Sequence, residues 1–251
     1  MVLKTRSEIE LMDAANRIVH EVLSGIGTRI KPGITTLELD EFAEQYIRDA
    51  GAVPGFLNYK GYPATLCTSV NDVIVHGIPN RSELEDGDII GVDCGVLYQG
   101  YYGDAARTFA VGAVDSETKR LLEATREALD LAVERAQVGA RLSDIGHAVE
   151  HRVTRDGFAV VRDFVGHGIG VSLHEEPQVP NYGPSGKGPQ LKPGLVLAIE
   201  PMVNAGSAGV RTDADGWTAR TDDGSRSAHF EYSVAITDDG PRILGVDQVA
   251  A

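Results

Sequence analysis

The sequence predicts an α+β protein built from two related halves, and a long-period repeat is the main reason. Residues 33–51 and 139–157 each begin and end with glycine, and each block encloses a helical pattern. A helical segment precedes each block and strand-like segments follow it, so the order helix, helix, strands occurs twice at a spacing of about 106 residues. This spacing is too long for a solenoid, whose repeats run about 20–50 residues. We therefore expect one domain, residues 1–251, whose halves of about 1–112 and 113–251 face each other.

Helical spacing of apolar residues, together with capping signals, predicts helices over residues 7–23, 36–50, 116–137 and 143–157. Ser7 followed by Glu10 has the pattern of a capping box. The other three helices begin at residues that favour the N-cap position: Thr35 or Thr36, Asp115 or Ser116, and Ser143.

Two acidic residues lie in a predicted β-hairpin. Residues 88–96 and 102–110 alternate as strands, and the segment 98–100 supplies the turn. A turn centred between Tyr98 and Gln99 would place Asp93 directly opposite Asp104, with Cβ atoms roughly 5 Å apart. Two carboxylates so placed need a cation between them, or one must hold a proton. The alternative is a surface hairpin of different register that leaves both acids solvated.

The second half adds three residues of the same kind. His167 lies in a glycine-rich stretch, where backbone can approach a ligand closely. Glu200 and Glu231 are single acids in otherwise apolar strands, residues 194–203 and 227–236. A buried acid is costly unless it is paired or binds a metal. A lone histidine is more often an ordinary core or surface residue, but together with four acids it predicts a site for two divalent metals.

Composition narrows the class of protein. At 251 residues the chain can bury one large core or two fused halves. A net charge of −14 argues against a nucleic-acid or anionic-membrane partner. Cys67 and Cys94 could form a disulfide, but the start of the chain lacks the apolar region of a signal peptide, and no apolar run approaches about 18 residues. We expect a cytoplasmic protein with both thiols reduced.

Several short motifs resemble those of one enzyme family. In order they are NDVIVHGIP (71–79), VD (92–93), GD (103–104), GHGIG (166–170), HEEPQ (174–178), EPM (200–202), DGW (215–217) and FE (230–231). Together they resemble the methionine aminopeptidases of the short bacterial kind, over nearly the whole chain. The resemblance implies the pseudo-two-fold "pita-bread" fold: an antiparallel sheet with helices on its outer face and metals in its concavity.

The resemblance also implies roles for the acidic residues and three histidines. Asp93 would bind one metal, His167 and Glu200 the other, and Asp104 and Glu231 would bridge the two. The metals would be Co, Mn, Fe or Zn, and Glu200 would also move the proton. His76 and His174 would be catalytic and substrate-binding groups, hydrogen-bonded to the scissile amide and to the developing oxyanion respectively.

Further positions match the family's substrate pocket. The methionine side chain would lie among Tyr59, Tyr62, Cys67 and Trp217, since a thiol and aromatic edges are favourable neighbours for a thioether. A monovalent cation would lie near Asn71, Val73 and Ser227. Two residues depart from the pattern: Leu173, where an aromatic is frequent, and His229, where a glutamine is common.

The implied activity is removal of N-terminal methionine from peptides and nascent proteins with a small second residue, by water attack on the peptide carbonyl activated by two metals. We expect a monomer with transient ribosome contact and no direct binding to nucleic acid or membrane. One alternative is a proline-specific peptidase of the same fold; these normally carry a large N-terminal domain, whereas the first helix here begins by residue 7. The other alternative is a non-catalytic binding protein, but such relatives lose ligands that this chain retains. The insertion after the His174 region that marks the eukaryote-like enzymes is also absent.

Overall fold

The computed structural model describes residues 1–247, so the last four residues of the expected domain lie outside the described part. Its α-helices are α1 (Arg6–Gly27), α2 (Thr36–Asp49), α3 (Ser116–Arg135) and α4 (Leu142–Thr154). Its strands are β1 (Val53–Pro54), β2 (Leu66–Val70), β3 (Val73–Val75), β4 (Ile89–Tyr98), β5 (Tyr101–Ala110), β6 (Ala159–Val160), β7 (Gly166–Gly168), β8 (Glu175–Val179), β9 (Val196–Ile199), β10 (Met202–Asn204), β11 (Val210–Thr212), β12 (Ala219–Thr221), β13 (Ser227–His229), β14 (Tyr232–Thr237) and β15 (Gly240–Ile243).

The four predicted helices are confirmed, but two of the predicted N-caps are wrong. The first capping box is formed by Thr5 and Glu8, because the Glu8 carboxylate accepts the Thr5 amide at 2.7 Å and the Thr5 hydroxyl accepts the Glu8 amide. Helix α4 begins one residue before Ser143, and the Asp144 carboxylate there accepts the Arg141 amide at 2.8 Å. The Ser143 hydroxyl instead accepts a backbone amide from the segment that follows β8. Thr35 and Asp115 cap α2 and α3, as predicted.

The hairpin of β4 and β5 forms in a different register from the one predicted. Gln99 and Gly100 are its two loop residues, with φ of 49° and 86°, which is the left-handed pair typical of a tight hairpin turn. Asp93 therefore pairs with Ala106, and Asp104 with Gly95. The two acids are diagonal rather than directly opposed, but a shift of two residues leaves both on the same face. The solvated alternative is also wrong, since Asp104 is buried.

Two larger sheets carry the fold. In the first half, β5 pairs with the whole of β4, and β2 and β1 pair with successive parts of the other edge of β4; in the second half, the order is β15-β14-β9-β7-β8. The smaller sheets are β13-β10-β6 and β11-β12-β3. All strand pairs among residues 1–247 are antiparallel.

Each large sheet packs one face against its own helices. Ile90, Val92 and Cys94 of β4 contact the apolar sides of α1 and α2. Residues of β9 and β14 do the same with α3 and α4. The opposite faces meet in the interior in a third cluster, which includes Cys67 from β2 and Val196 from β9. Cys67 and Cys94 therefore lie on different faces, and both thiols are free.

Backbone contacts repeat at the spacing seen in the sequence. The four bracketing glycines all have positive φ, from 72° to 88°. The Gly33 amide donates to the Leu84 carbonyl at 2.8 Å, and the Gly139 amide donates to the Leu191 carbonyl at 3.0 Å. Two isolated bridges, Thr35 with Glu83 and Arg141 with Gln190, follow the same relation. These contacts are what two related halves would produce. Within residues 1–247, no helix combines the length and hydropathy needed to cross a bilayer.

Candidate active site

Both halves of the molecule deliver side chains to one interior point. Asp93 comes from β4 and Asp104 from β5, while His167 comes from β7. Glu200 and Glu231 do not lie within strands as predicted: Glu200 follows β9, and Glu231 precedes β14. Both expected strands are interrupted at the acid, which releases the side chain from strict alternation.

Hydrogen bonds between the halves position these residues. The amide of Glu231 donates to the carbonyl of Ala106 in β5 at 2.9 Å. Two residues on, the Ser233 hydroxyl donates to the carbonyl of Asp104 at 2.9 Å. The hairpin acids and Glu231 are thus held together by hydrogen bonds to main-chain carbonyls of β5, which do not use their carboxylates.

Three of the five predicted ligands form a tight cluster. One ligand atom each from Asp104, His167 and Glu231 lies within 4.8 Å of the others. The Nε2 atom of His167 is 3.5 Å from a Glu200 oxygen and 3.9 Å from an Asp104 oxygen. Its Nδ1 atom lies 2.9 Å from the Gly168 carbonyl, which can only accept, so Nδ1 carries the proton and Nε2 faces the acids as a free base. Asp93 lines the same cavity.

Burial makes negative charge costly here. It raises the pKa of Asp93 to about 7 and that of Glu200 to about 8. Burial, and then the neighbouring carboxylates, also hold the pKa values of Asp104 and Glu231 well above their usual range. Burial first, and the neighbouring His174 second, lower the pKa of His167 to about 3. The protein itself therefore supplies too little positive charge for these carboxylates.

The chemistry of the cluster fits divalent metal. Among the described residues, Asp93 Oδ1, Asp104 Oδ1 and Glu231 Oε1 are buried without a hydrogen-bond partner. Buried polar atoms are normally paired, so three orphaned carboxylate oxygens aimed at one region need an explanation. Carboxylate oxygens with one imidazole nitrogen suit Mn, Fe, Co or Zn.

An aromatic cavity of about 180 Å³ adjoins the acids. All four predicted pocket residues line it: Tyr59, Tyr62, Cys67 and Trp217. Tyr62 meets Trp217 edge to face, with ring centroids 5.1 Å apart. Phe56, Lys60 and Leu173 also line the cavity. Phe56 and Lys60 had no recognisable signal in the sequence.

His174 lies beside His167 of the acid cluster, and Tyr59 holds it there. The Tyr59 hydroxyl is 2.9 Å from His174 Nδ1, and the two rings stack with centroids 5.3 Å apart. The ring of His174 is 4.2 Å from that of His167. Burial and then the nearby Lys60 lower the pKa of His174, which keeps it neutral at neutral pH.

His76 lines the same cavity in a strained conformation. Its φ is 60°, a left-handed value that is uncommon for a residue other than glycine. Its ring meets those of Phe164 and Trp217 edge to face. The next residue must be small, because a β-carbon on Gly77 would lie 2.2 Å from the Thr68 carbonyl oxygen. Burial, then His229 and His174, lowers the pKa of His76 to about 4.

His229 is a site residue whose role the sequence did not predict. Its Nε2 is buried, has no hydrogen-bond partner among the described residues and lies 3.5 Å from a Glu200 oxygen. A signal was present, since strand alternation places His229 on the same face as Glu231.

Of the residues expected near a monovalent cation, Ser227 donates its amide to the Asn71 carbonyl at 2.9 Å, and Val73 lies in the adjacent strand β3.

Comparisons with known proteins agree with this geometry. The profile of metallopeptidase family M24 matches residues 10–238. The methionine aminopeptidase of Clostridium acetobutylicum is 49% identical over 97% of this chain and 98% of its own length. The crystal structure of methionine aminopeptidase from Thermotoga maritima superposes with a TM-score of 0.97 at 44% identity, covering 98% of this chain and all of that one. Prolidase from Pyrococcus furiosus superposes with a TM-score of 0.78 at 23% identity, over 98% of this chain and 66% of that one. This likeness is evidence for the fold alone.

The fold and the site together define a metal-dependent hydrolase with the expected pita-bread architecture. Sequence and structure agree on its place among such enzymes: the chain belongs to the methionine aminopeptidases of metallopeptidase family M24.

Proposed function

We propose that this protein removes N-terminal methionine from peptides and nascent proteins whose second residue is small. The observation that carries the proposal is the aromatic and thiol-lined cavity opening directly onto the acid cluster. Methionine is unbranched and polarizable, and its sulfur interacts favourably with aromatic edges, each contact contributing about 0.3–1.5 kcal/mol. A side chain seated in this cavity would leave its own carbonyl beside the acids.

The five clustered residues would hold two divalent ions. Asp93 would hold one, His167 and Glu200 the other, and Asp104 and Glu231 would contact both. When bound, such ions supply Lewis acidity, which polarises a peptide carbonyl and lowers the pKa of water. The site would therefore lie between the two halves of a single catalytic domain, divided at about residue 112.

Glu200 would carry the proton. It would accept the proton of the attacking water and deliver it to the leaving amine, as a general base and then a general acid. The Nε2 atoms of His167 and His229 lie 3.5 Å from its two carboxylate oxygens, so an imidazole borders each oxygen of the group.

His174 and His76 would act on the peptide bond itself. A Tyr59 hydroxyl that donates to His174 Nδ1 leaves the His174 proton on Nε2, where it can donate to the developing oxyanion. His76, which lies against Phe164 and Trp217, would hydrogen-bond the scissile amide. The rings of His174, Tyr59 and His76 line the same cavity as the acids, and we expect them to favour a small second residue.

The surroundings of the reaction are also part of the proposal. We expect a monomeric enzyme of the cytoplasm that meets nascent chains through transient ribosome contact. The two free cysteines are in keeping with a reducing compartment. The net charge of −14 supports action without direct binding to nucleic acid or anionic membrane.

Substrate series test this function. We expect kcat/KM for Met-Ala-Ser to exceed that for Met-Leu-Ser by at least about tenfold, with release of free methionine. Ala-Pro-Ser serves as the control for the proline peptidases that share the fold. Equal kcat/KM values on Ala-Pro-Ser and Met-Ala-Ser would refute the methionine specificity.

A further inference from the structure

We propose that Lys4, in the segment before α1, is a positioning residue for His174, and that it acts through a buried ion pair with Glu175. The inference rests on the proposed function, because His174 is taken to contact the substrate. The proposal adds to the site a residue that does not line the cavity and that lies near the start of the sequence.

The ion pair is short and shielded from solvent. The Lys4 ammonium lies 2.5 Å from a Glu175 carboxylate oxygen, and the two side chains are only 4% and 10% exposed. Glu175 is the residue directly after His174 and the first of β8. A lysine is seldom buried unless it is paired, and none of the proposed chemistry uses this pair.

Lys4 is itself anchored to the second half of the molecule. Its amide donates to the carbonyl of Gly194, just before β9, at 2.6 Å. The ammonium also donates to the Val2 carbonyl at 3.3 Å. The ion pair therefore links the loop that carries His174 to a fixed backbone position rather than to a free terminus.

The loop between β7 and β8 is folded around this pair. The Gly170 amide donates to the Ser172 carbonyl at 3.1 Å, and the Ser172 amide approaches the second Glu175 oxygen at 3.4 Å. Gly170 is packed so closely that a β-carbon there would lie 2.4 Å from Lys4 Cε and 2.5 Å from a Glu175 oxygen. Lys4 and Glu175 thus define the shape of the turn that leads to His174.

His174 is consequently held at two points. Tyr59 contacts its ring, and the Lys4–Glu175 pair holds the backbone immediately after it. Removing one partner of a buried pair leaves an uncompensated charge, so the loop would rearrange to hydrate it. A displacement of about 1 Å at a catalytic group can cost about 10²-fold in rate.

The deciding experiment is a double-mutant cycle on the metal-loaded, full-length enzyme. Lys4→Met removes the charge and keeps an unbranched side chain; it is made in the wild type and in His174→Ala, and kcat and KM are measured on Met-Ala-Ser. If Lys4 acts through His174, kcat falls about tenfold in the wild type, KM stays within about twofold, and kcat changes by less than about twofold in His174→Ala. An equal loss of kcat in both backgrounds would overturn the proposal.

A matched control separates positioning from general destabilisation. Arg152 of α4 forms partly buried ion pairs with Glu127 of α3 and with Asp156 in the turn after α4, and Arg152→Met removes them. It should lower the melting temperature with kcat unchanged. A Lys4→Met enzyme that loses no more kcat than Arg152→Met contradicts the proposal.

Hydrogen exchange tests the ion pair independently of activity. Amides of residues 170–175 should exchange at least about tenfold faster in Lys4→Met, and should be unchanged in Arg152→Met. Glu175→Gln gives the same test if Lys4→Met does not fold. Unchanged exchange would refute the positioning role, whereas a wild type that does not cleave Met-Ala-Ser would refute the proposed function instead.

Discussion

At the scale of single residues, His76 and His174 differ from His167, the expected metal ligand, in what they contact. His167 presents a free nitrogen to the carboxylates, whereas His174 and His76 present their rings to Tyr59 and Trp217 respectively. The residues around each histidine in the fold therefore distinguish roles that the residue type alone does not. This difference supports substrate roles for the latter two.

Removing His174 should slow the reaction without removing metal. Since its proposed partner is charge that develops only as the carbonyl becomes tetrahedral, His174→Ala should lower kcat by about 10²–10³ and change KM little. His76→Ala should also slow turnover. Elemental analysis provides the check, because loss of metal from either variant would make that histidine a ligand.

Asp40 should make stability depend on pH. It does not line the cavity, its carboxylate accepts the amides of Thr65 and Leu66, and burial raises its pKa from 3.8 to about 6. A folded-state pKa above the unfolded value means that its stabilising effect is complete below pH 3.8 and is lost as pH rises through about 6. Asp40→Asn keeps an acceptor oxygen and does not titrate. Urea unfolding from pH 4.5 to 7 should show the variant gaining stability relative to wild type, whereas a constant difference would contradict the assignment.

At the scale of elements, the sequence predicts which segments form strands better than where they pair. Period-two alternation places Asp93 and Asp104 on one face, and that face survives a register shift of two residues. The register itself depends on the conformation of Gln99 and Gly100, which composition indicates only weakly. The break at Glu200 had a signal in Pro201, which has no amide to donate to a strand ladder, whereas at Glu231 the apolar alternation runs on without one.

The hairpin turn can be tested through its glycine. Gly100 has a φ of 86°, so Gly100→Ala should lower the free energy of unfolding by about 1–2 kcal/mol. Gln99→Asn is the matched control and should not destabilise, because asparagine tolerates the left-handed conformation. Urea denaturation measures both. A Gly100→Ala protein as stable as wild type would argue against this turn.

At the scale of the whole molecule, the site depends on both halves at once. The repeat of helices and strands and the five expected metal ligands were predicted from the sequence. The contacts that bring them together could not be, because the bonds of Glu231 and Ser233 to β5 join residues more than a hundred positions apart. For the same reason Lys4 carried no signal as a partner of Glu175.

Metal should therefore stabilise the entire fold. Asp104 belongs to the first half and Glu231 to the second, and both would contact the ions, so a bound ion opposes separation of the halves. An ion that binds only the folded state adds about 2.7 kcal/mol at a concentration of 100 Kd. Adding Mn²⁺ or Co²⁺ to EDTA-dialysed protein should raise the melting temperature and restore activity, and Glu231→Gln should reduce both effects. Full activity together with an unchanged melting temperature in the dialysed protein would show that the acid cluster does not serve as a metal site.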